Sequence, residues 1–130
     1  NPAYVCTSTE SMSAIETEVN RMMRVLPREQ RPTAFLVGED EIAAQLMQHL
    51  RMLDIRIPEQ VSVVGWGNVS SARITTPQLT TVDANVEDFA VQIAEALEMV
   101  AGGGQPEDQV FPVRLVVRGS TGPLSAPQLP

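Results

Sequence analysis

Thr33-Ala-Phe-Leu-Val37 and Val61-Ser-Val-Val-Gly65 are two apolar runs of strand length, and the segment between them carries helical spacing. Each run ends in a short turn, Gly38-Glu39-Asp40-Glu41 after the first and Trp66-Gly67-Asn68 after the second. Near-continuous apolar character is what a parallel strand needs when both of its faces are covered. Open α/β folds collect their ligands where such strands end and the chain enters the next loop or helix. The stretch from Arg31 to Asn68 therefore marks both a fold and a binding edge.

Between the two runs, Ile42, Ala43, Leu46, Met47, Leu50 and Leu53 recur at spacings of three and four, which makes one helix face. The acidic residues before them suit the exposed amides and dipole of a helix N-terminus. Upstream, Tyr4 to Thr7 is a short strand-like run, and Met12, Ile15, Val19, Met22, Met23 and Leu26 form one face of a helix. Ser11, or Ser13 with Glu16 in Ser-x-x-Glu spacing, suits its start, and Pro27 ends it. Downstream, Trp66 to Gln78 is an irregular loop, longer than the roughly two to six residues usual for such connections. Leu79-Thr-Thr-Val82 is a β-branched strand. Asn85 is placed to cap a helix bearing Val86, Phe89, Ala90, Ile93, Ala94, Leu97 and Val100, which Gly102-Gly-Gly104 stops. Val110 to Val113 and Leu115 to Val117 read as closing strands. The alternation predicts an α/β fold of three layers, a mostly parallel sheet with helices on both faces. Residues 1–123 are expected to form one unit, followed by a flexible tail over 124–130.

Composition narrows the function. A chain of 130 residues has room for one domain with a real core. Its net charge is −7 and every basic side chain is Arg, so it lacks the positive footprint that binds phosphate backbones. No apolar run approaches the roughly 20 residues of a membrane helix. Asn1-Pro-Ala-Tyr-Val5 has neither the basic start nor the apolar core of a signal peptide. The single Cys6 excludes an internal disulfide, and with one His it leaves no zinc-type cluster, so neither metal nor cofactor is expected. A reducing cytoplasm fits that usage. Catalysis finds no support: Gly65-Trp-Gly67 is one glycine-x-glycine step without a phosphate cradle, and no Ser sits in a nucleophile-elbow context. Glu39, Asp40 and Glu41 are adjacent on a helix start and do not converge on one cation.

Four segments in order, Arg31-Pro-Thr-Ala-Phe-Leu-Val-Gly-Glu-Asp-Glu41, Ile57-Pro-Glu-Gln-Val-Ser-Val-Val-Gly65, Pro77-Gln-Leu-Thr-Thr-Val82 and Leu115-Val-Val-Arg-Gly-Ser-Thr-Gly122, resemble the effector-binding domain of the lactose/galactose-repressor (LacI/GalR) family of bacterial transcription regulators. The resemblance implies a type I periplasmic-binding-protein-like fold, in which two similar subdomains close on a small molecule, usually a sugar or nucleoside. This chain would supply most of the C-terminal subdomain of a homodimer, with DNA bound through an N-terminal helix-turn-helix outside it. A secreted sugar-binding protein of the same fold is the alternative. In the family, the segment resembling Val86 to Ala101 packs on the other subdomain. That helix must therefore dock elsewhere, dimerise, or leave an apolar patch exposed.

Aligned on that pattern, Glu39 stands where family members often carry a sugar-binding Asn, and Asp40 stands on the Asp that follows. A strand-end carboxylate can accept from hydroxyl groups; it can also simply decorate or cap a helix start. Gly67 and Asn68 stand where two Asp residues are frequent, so glycine removes the first ligand contact. Trp66 replaces a Phe or Tyr and suits either stacking on a sugar ring or packing with its N–H satisfied. Met12 lies where some members place an aromatic against the ligand, although its place on the apolar stripe favours the core. Gln45, Gln48, His49 and Met52, with Arg73, Ile74 and Thr76 of the long loop, match the family's dimer interface; a solvated helix face is the plainer reading.

Overall fold

The structure, a computed structural model, describes residues 12–123. The expected strand at Tyr4 to Thr7, the Ser11 cap and the tail over 124–130 lie outside these residues. Helix α1 (Met12–Asn20) continues into a π-helical turn, Arg21–Val25. Leu26 then leaves in an extended conformation, as a residue before proline must. Four strands follow, β1 (Ala34–Leu36), β2 (Ser62–Trp66), β3 (Thr80–Asp83) and β4 (Arg114–Val116), with α2 (Asp40–Met52), α3 (Ser71–Ile74) and α4 (Val86–Ala101) between them. The sheet order is β1-β2-β3-β4; the first three strands are parallel and β4 runs antiparallel to β3. The fold is thus α/β with a mostly parallel, mixed sheet.

Two parts of the sequence expectation change. The loop Trp66 to Gln78 contains the short helix α3, whose Ala72 is fully buried. Of the two closing runs only Arg114–Val116 forms a strand, while Val110 is 96% exposed. Pro112 offers no backbone donor to a ladder there.

Register decides which side chains meet. Phe35 lies beside Val63, Gly65 beside Thr81, and Thr81 beside Val116, so these point to the face on which α2 packs. There Ala43, Leu46, Met47 and Leu50 of α2 join Val19, Met22 and Met23, together with Val61, Val63, Ala72 and Leu79, in one core. The opposite face differs from the covered strand expected: Leu36 is 76% exposed and Leu115 is 55% exposed. No residue of α4 is buried, and Val86, Ile93, Leu97 and Val100 stand open along it. Phe89 packs edge-on against Phe111, with ring centroids 4.5 Å apart.

Ser120 fastens the sheet at its lower end. Wholly buried, its hydroxyl donates to the Val63 carbonyl at 2.6 Å and accepts from the Thr80 amide at 2.8 Å, while its carbonyl accepts from the Val63 amide at 2.9 Å. Substitution Ser120→Ala leaves two enclosed backbone groups without partners. It should lower unfolding stability by about 2–4 kcal/mol, read as a lower midpoint in urea at unchanged slope.

Candidate functional site

Parallel strands β1, β2 and β3 deliver Gly38–Glu39, Gly67–Asn68 and Ala84–Asn85 to one edge of the sheet. Asp40, the first residue of α2, sits at its centre and is fully buried. Its Oδ1 accepts from the Thr81 hydroxyl at 2.6 Å and its Oδ2 from the Val69 amide at 2.9 Å. Gly65 makes room for it, since a Cβ there would lie 2.2 Å from Asp40 Oδ1 and 2.8 Å from Leu79. So enclosed, Asp40 offers a ligand no surface; it ties α2 to β3 and to the loop after β2.

Glu39 is the opposite case. It precedes α2 in extended conformation, makes no side-chain capping bond and stands exposed. Beside it a groove of about 260 Å³ runs between β1, α2 and α1, walled by Ile15, Val19, Met22, Phe35 and Ile42 with Glu18 at its rim. Small-molecule sites usually measure roughly 300–1,000 Å³, so this edge has the dimensions of part of a site. Trp66 ends β2 with 43% of its surface exposed, which leaves indole available for stacking. Gly67 follows at φ +122°, a conformation that disfavours any side chain, and Asn68 at φ +52°. Met12 opens α1 and is partly covered.

Residues that the sequence did not single out organise this edge. The Thr81 hydroxyl, besides binding Asp40, accepts from the Asn68 amide at 3.4 Å. Asp83 accepts from the Asn85 amide at 3.0 Å and from Arg114 at 2.9 Å, and these bonds, the amide first, hold its carboxyl below the usual aspartate range. A carboxyl depressed in the folded state adds stability above its unfolded pKa, and the contribution is lost as pH falls through the folded value. Asn85 begins α4 at φ +50°. The signal available in the sequence was the second Thr of Leu79-Thr-Thr-Val82; nothing marked Asp83 except its place just past that strand.

The proposed dimer residues divide. Gln45, Gln48, Met52, Ile74 and Thr76 line one open depression between α2 and α3, with Ile74 82% exposed and Met52 64% exposed. Arg73 is exposed on α3 nearby. His49 is a correction: it is buried on the side of α2 that faces α1, with Nδ1 3.9 Å from Glu16, and takes no part in that surface. One residue of helical phase separates it from Gln48, enough to turn it inward. Among the described residues there is no group of three or more metal-ligating side chains, and no helix is long and apolar enough to cross a membrane.

A mixed sheet whose parallel strands end at one open edge is consistent with part of a periplasmic-binding-protein-like module. The chain belongs to the periplasmic binding protein-like domain family, whose model matches residues 2–121, and its relatives there are LacI-type regulators. An arabinose metabolism transcriptional repressor of Geobacillus stearothermophilus is 32% identical over 117 residues, covering 88% of this chain and 32% of the repressor. A LacI-type transcription regulator from Bifidobacterium animalis subsp. lactis superposes with a TM-score of 0.70 at 29% identity, over 86% of this chain and 40% of that one. The transcriptional regulator CelR, solved with cellobiose, gives 0.63 at 27% identity over 68% of this chain and 28% of its own. The chain thus spans about a third of such proteins.

Two substitutions separate scaffold from rim. Asp40→Ala strands the Val69 amide, takes from the Thr81 hydroxyl its shortest partner and should cost about 2–4 kcal/mol of stability. Glu39→Gln touches no internal bond and should stay within about 0.5 kcal/mol of the parent in the same urea titration.

Proposed function

We propose that this chain is the effector-binding and dimerisation part of a LacI-type transcription regulator that responds to a small molecule, a sugar or a nucleoside-like compound. The observation that carries the reading is the strand-end edge, where exposed Glu39 and Trp66 flank the side-chain-free Gly67 in front of a buried Asp40 clamp. Carboxylate oxygens accept from ligand hydroxyls and an indole face covers a sugar or base ring. Glycine in place of a frequent Asp widens the site and moves specificity toward Glu39. Relatives that are transcriptional repressors, and a neighbour solved with cellobiose, favour this reading over a transport protein.

The edge covers one side of a ligand; the other side comes from a second subdomain outside this chain, on which the open apolar face of α4 docks. DNA recognition likewise lies outside it, since a charge of −7 repels phosphate. A regulator of this kind works in the cytoplasm. Closure on the effector changes the dimer, and the coupling equals the difference in effector affinity between the open and closed states. No catalytic role is assigned to any residue.

Two measurements test this. Trp66 fluorescence of the full-length protein, titrated with a panel of pentoses, hexoses, disaccharides and nucleosides, should shift and saturate for at least one of them, and Glu39→Gln should weaken that response about tenfold or more. No response anywhere in the panel contradicts the effector reading. Ile74→Glu should convert a dimer to monomer in sedimentation velocity, with dimer affinity reduced at least about tenfold. An unchanged sedimentation coefficient removes the α2–α3 face from the interface.

A further inference from the structure

Asn68 uses both ends of its carboxamide. Oδ1 accepts from Arg118 Nη2 at 2.5 Å, and Nδ2 donates to Asp83 Oδ2 at 3.1 Å. Arg118 is itself fixed, its Nη1 donating to the Leu79 carbonyl at 2.7 Å and its amide to the Thr80 hydroxyl at 2.9 Å. Asp83 passes the connection on through the Asn85 amide to the residue that begins α4. An unbroken line of hydrogen bonds therefore runs from the segment after β4, through the strand-end loop, to the first turn of α4. Its two ends have fixed polarity: a guanidinium only donates and a carboxylate only accepts. The group between them must accept on one side and donate on the other. A carboxamide does so at neutral pH, whereas an aspartate there would satisfy Arg118 and repel Asp83.

We propose that Asn68 is a positioning residue that latches the exit of β3 and the first turn of α4 to the strand-end edge, so that a ligand group taking its carboxamide must release Arg118 or Asp83 and loosen α4. The ligand half of this statement rests on the effector-site reading above; the latch in the free protein does not. Within this chain no residue of α4 is buried, and the bonds through Asp83 and the Asn85 amide tie its start to the sheet.

Amide hydrogen exchange on the full-length protein tests the latch without any effector. Asn68→Asp should raise opening at Phe89 to Val91 about tenfold while the amides of Leu50 and Val63 stay within about twofold. Combining it with Asp83→Asn moves the donor to the other partner and should restore the parent's protection, although Arg114 loses an exposed ion pair of little worth. Asn68→Gly, which keeps the left-handed backbone, should open the same turn. Parent-like exchange in Asn68→Asp, or a double variant as open as the single, overturns the latch. If the latch stands and no effector perturbs α4, only the ligand half fails.

Discussion

The strand-end edge depends on one buried carboxylate. Asp40 accepts a hydroxyl from β3 and an amide from the loop after β2, while its own backbone starts α2. Three consecutive units of the chain are thereby held at fixed distances, and Gly65 is glycine because the carboxylate occupies the place of its side chain. A charged group this enclosed survives only with its oxygens hydrogen-bonded. Both are, and the edge inherits its rigidity. Glu39 and Trp66 stand exposed in front of that hydrogen-bonded frame. Asp40 is enclosed scaffold, and Glu39, which stands on the family's sugar-binding position, is exposed in front of it.

The two uncovered surfaces follow from the same architecture. A parallel sheet needs covering on both faces, and here α1, α2 and α3 share the core on one side while Leu36 and Leu115 stand open on the other. Helix α4 carries an apolar row with no residue buried. Exposed apolar area on this scale marks surface meant for a partner. The chain spans about a third of the relatives it matches, and the proposed second subdomain would occupy these faces. Under the proposed function the edge, the open sheet face and α4 would form one closure surface; the depression between α2 and α3 lies apart from them.

Much of this was legible in the sequence. Spacing of apolar residues placed α2 and α4 closely, because 3.6-residue periodicity survives whether or not the partner of the apolar face is present. The strand runs were legible in position but misleading in burial: Thr33 to Val37 encodes a strand covered on both faces, and Leu36 is 76% exposed among the described residues. His49 was misplaced by one residue of helical phase. The role of Asp40 could not be read from its position, which is equally that of a cap, a ligand contact or a clamp; Thr81 and Val69, distant in sequence, decide it. The donor–acceptor order of Arg118, Asn68 and Asp83 is likewise a tertiary fact. A polar residue in a strand-end turn has no partner until the fold supplies one.

The central claim is that small-molecule recognition is seated at the strand-end edge in front of Asp40. Amide and indole NMR shifts of the isotope-labelled full-length protein, recorded with millimolar sugars and nucleosides, address it most directly. The largest changes should fall on Gly38, Glu39, the Trp66 indole, Gly67 and Asn68, with Val63 and the Gln45–Gln48 face nearly silent. Largest changes in the depression between α2 and α3, with the edge undisturbed, would contradict it.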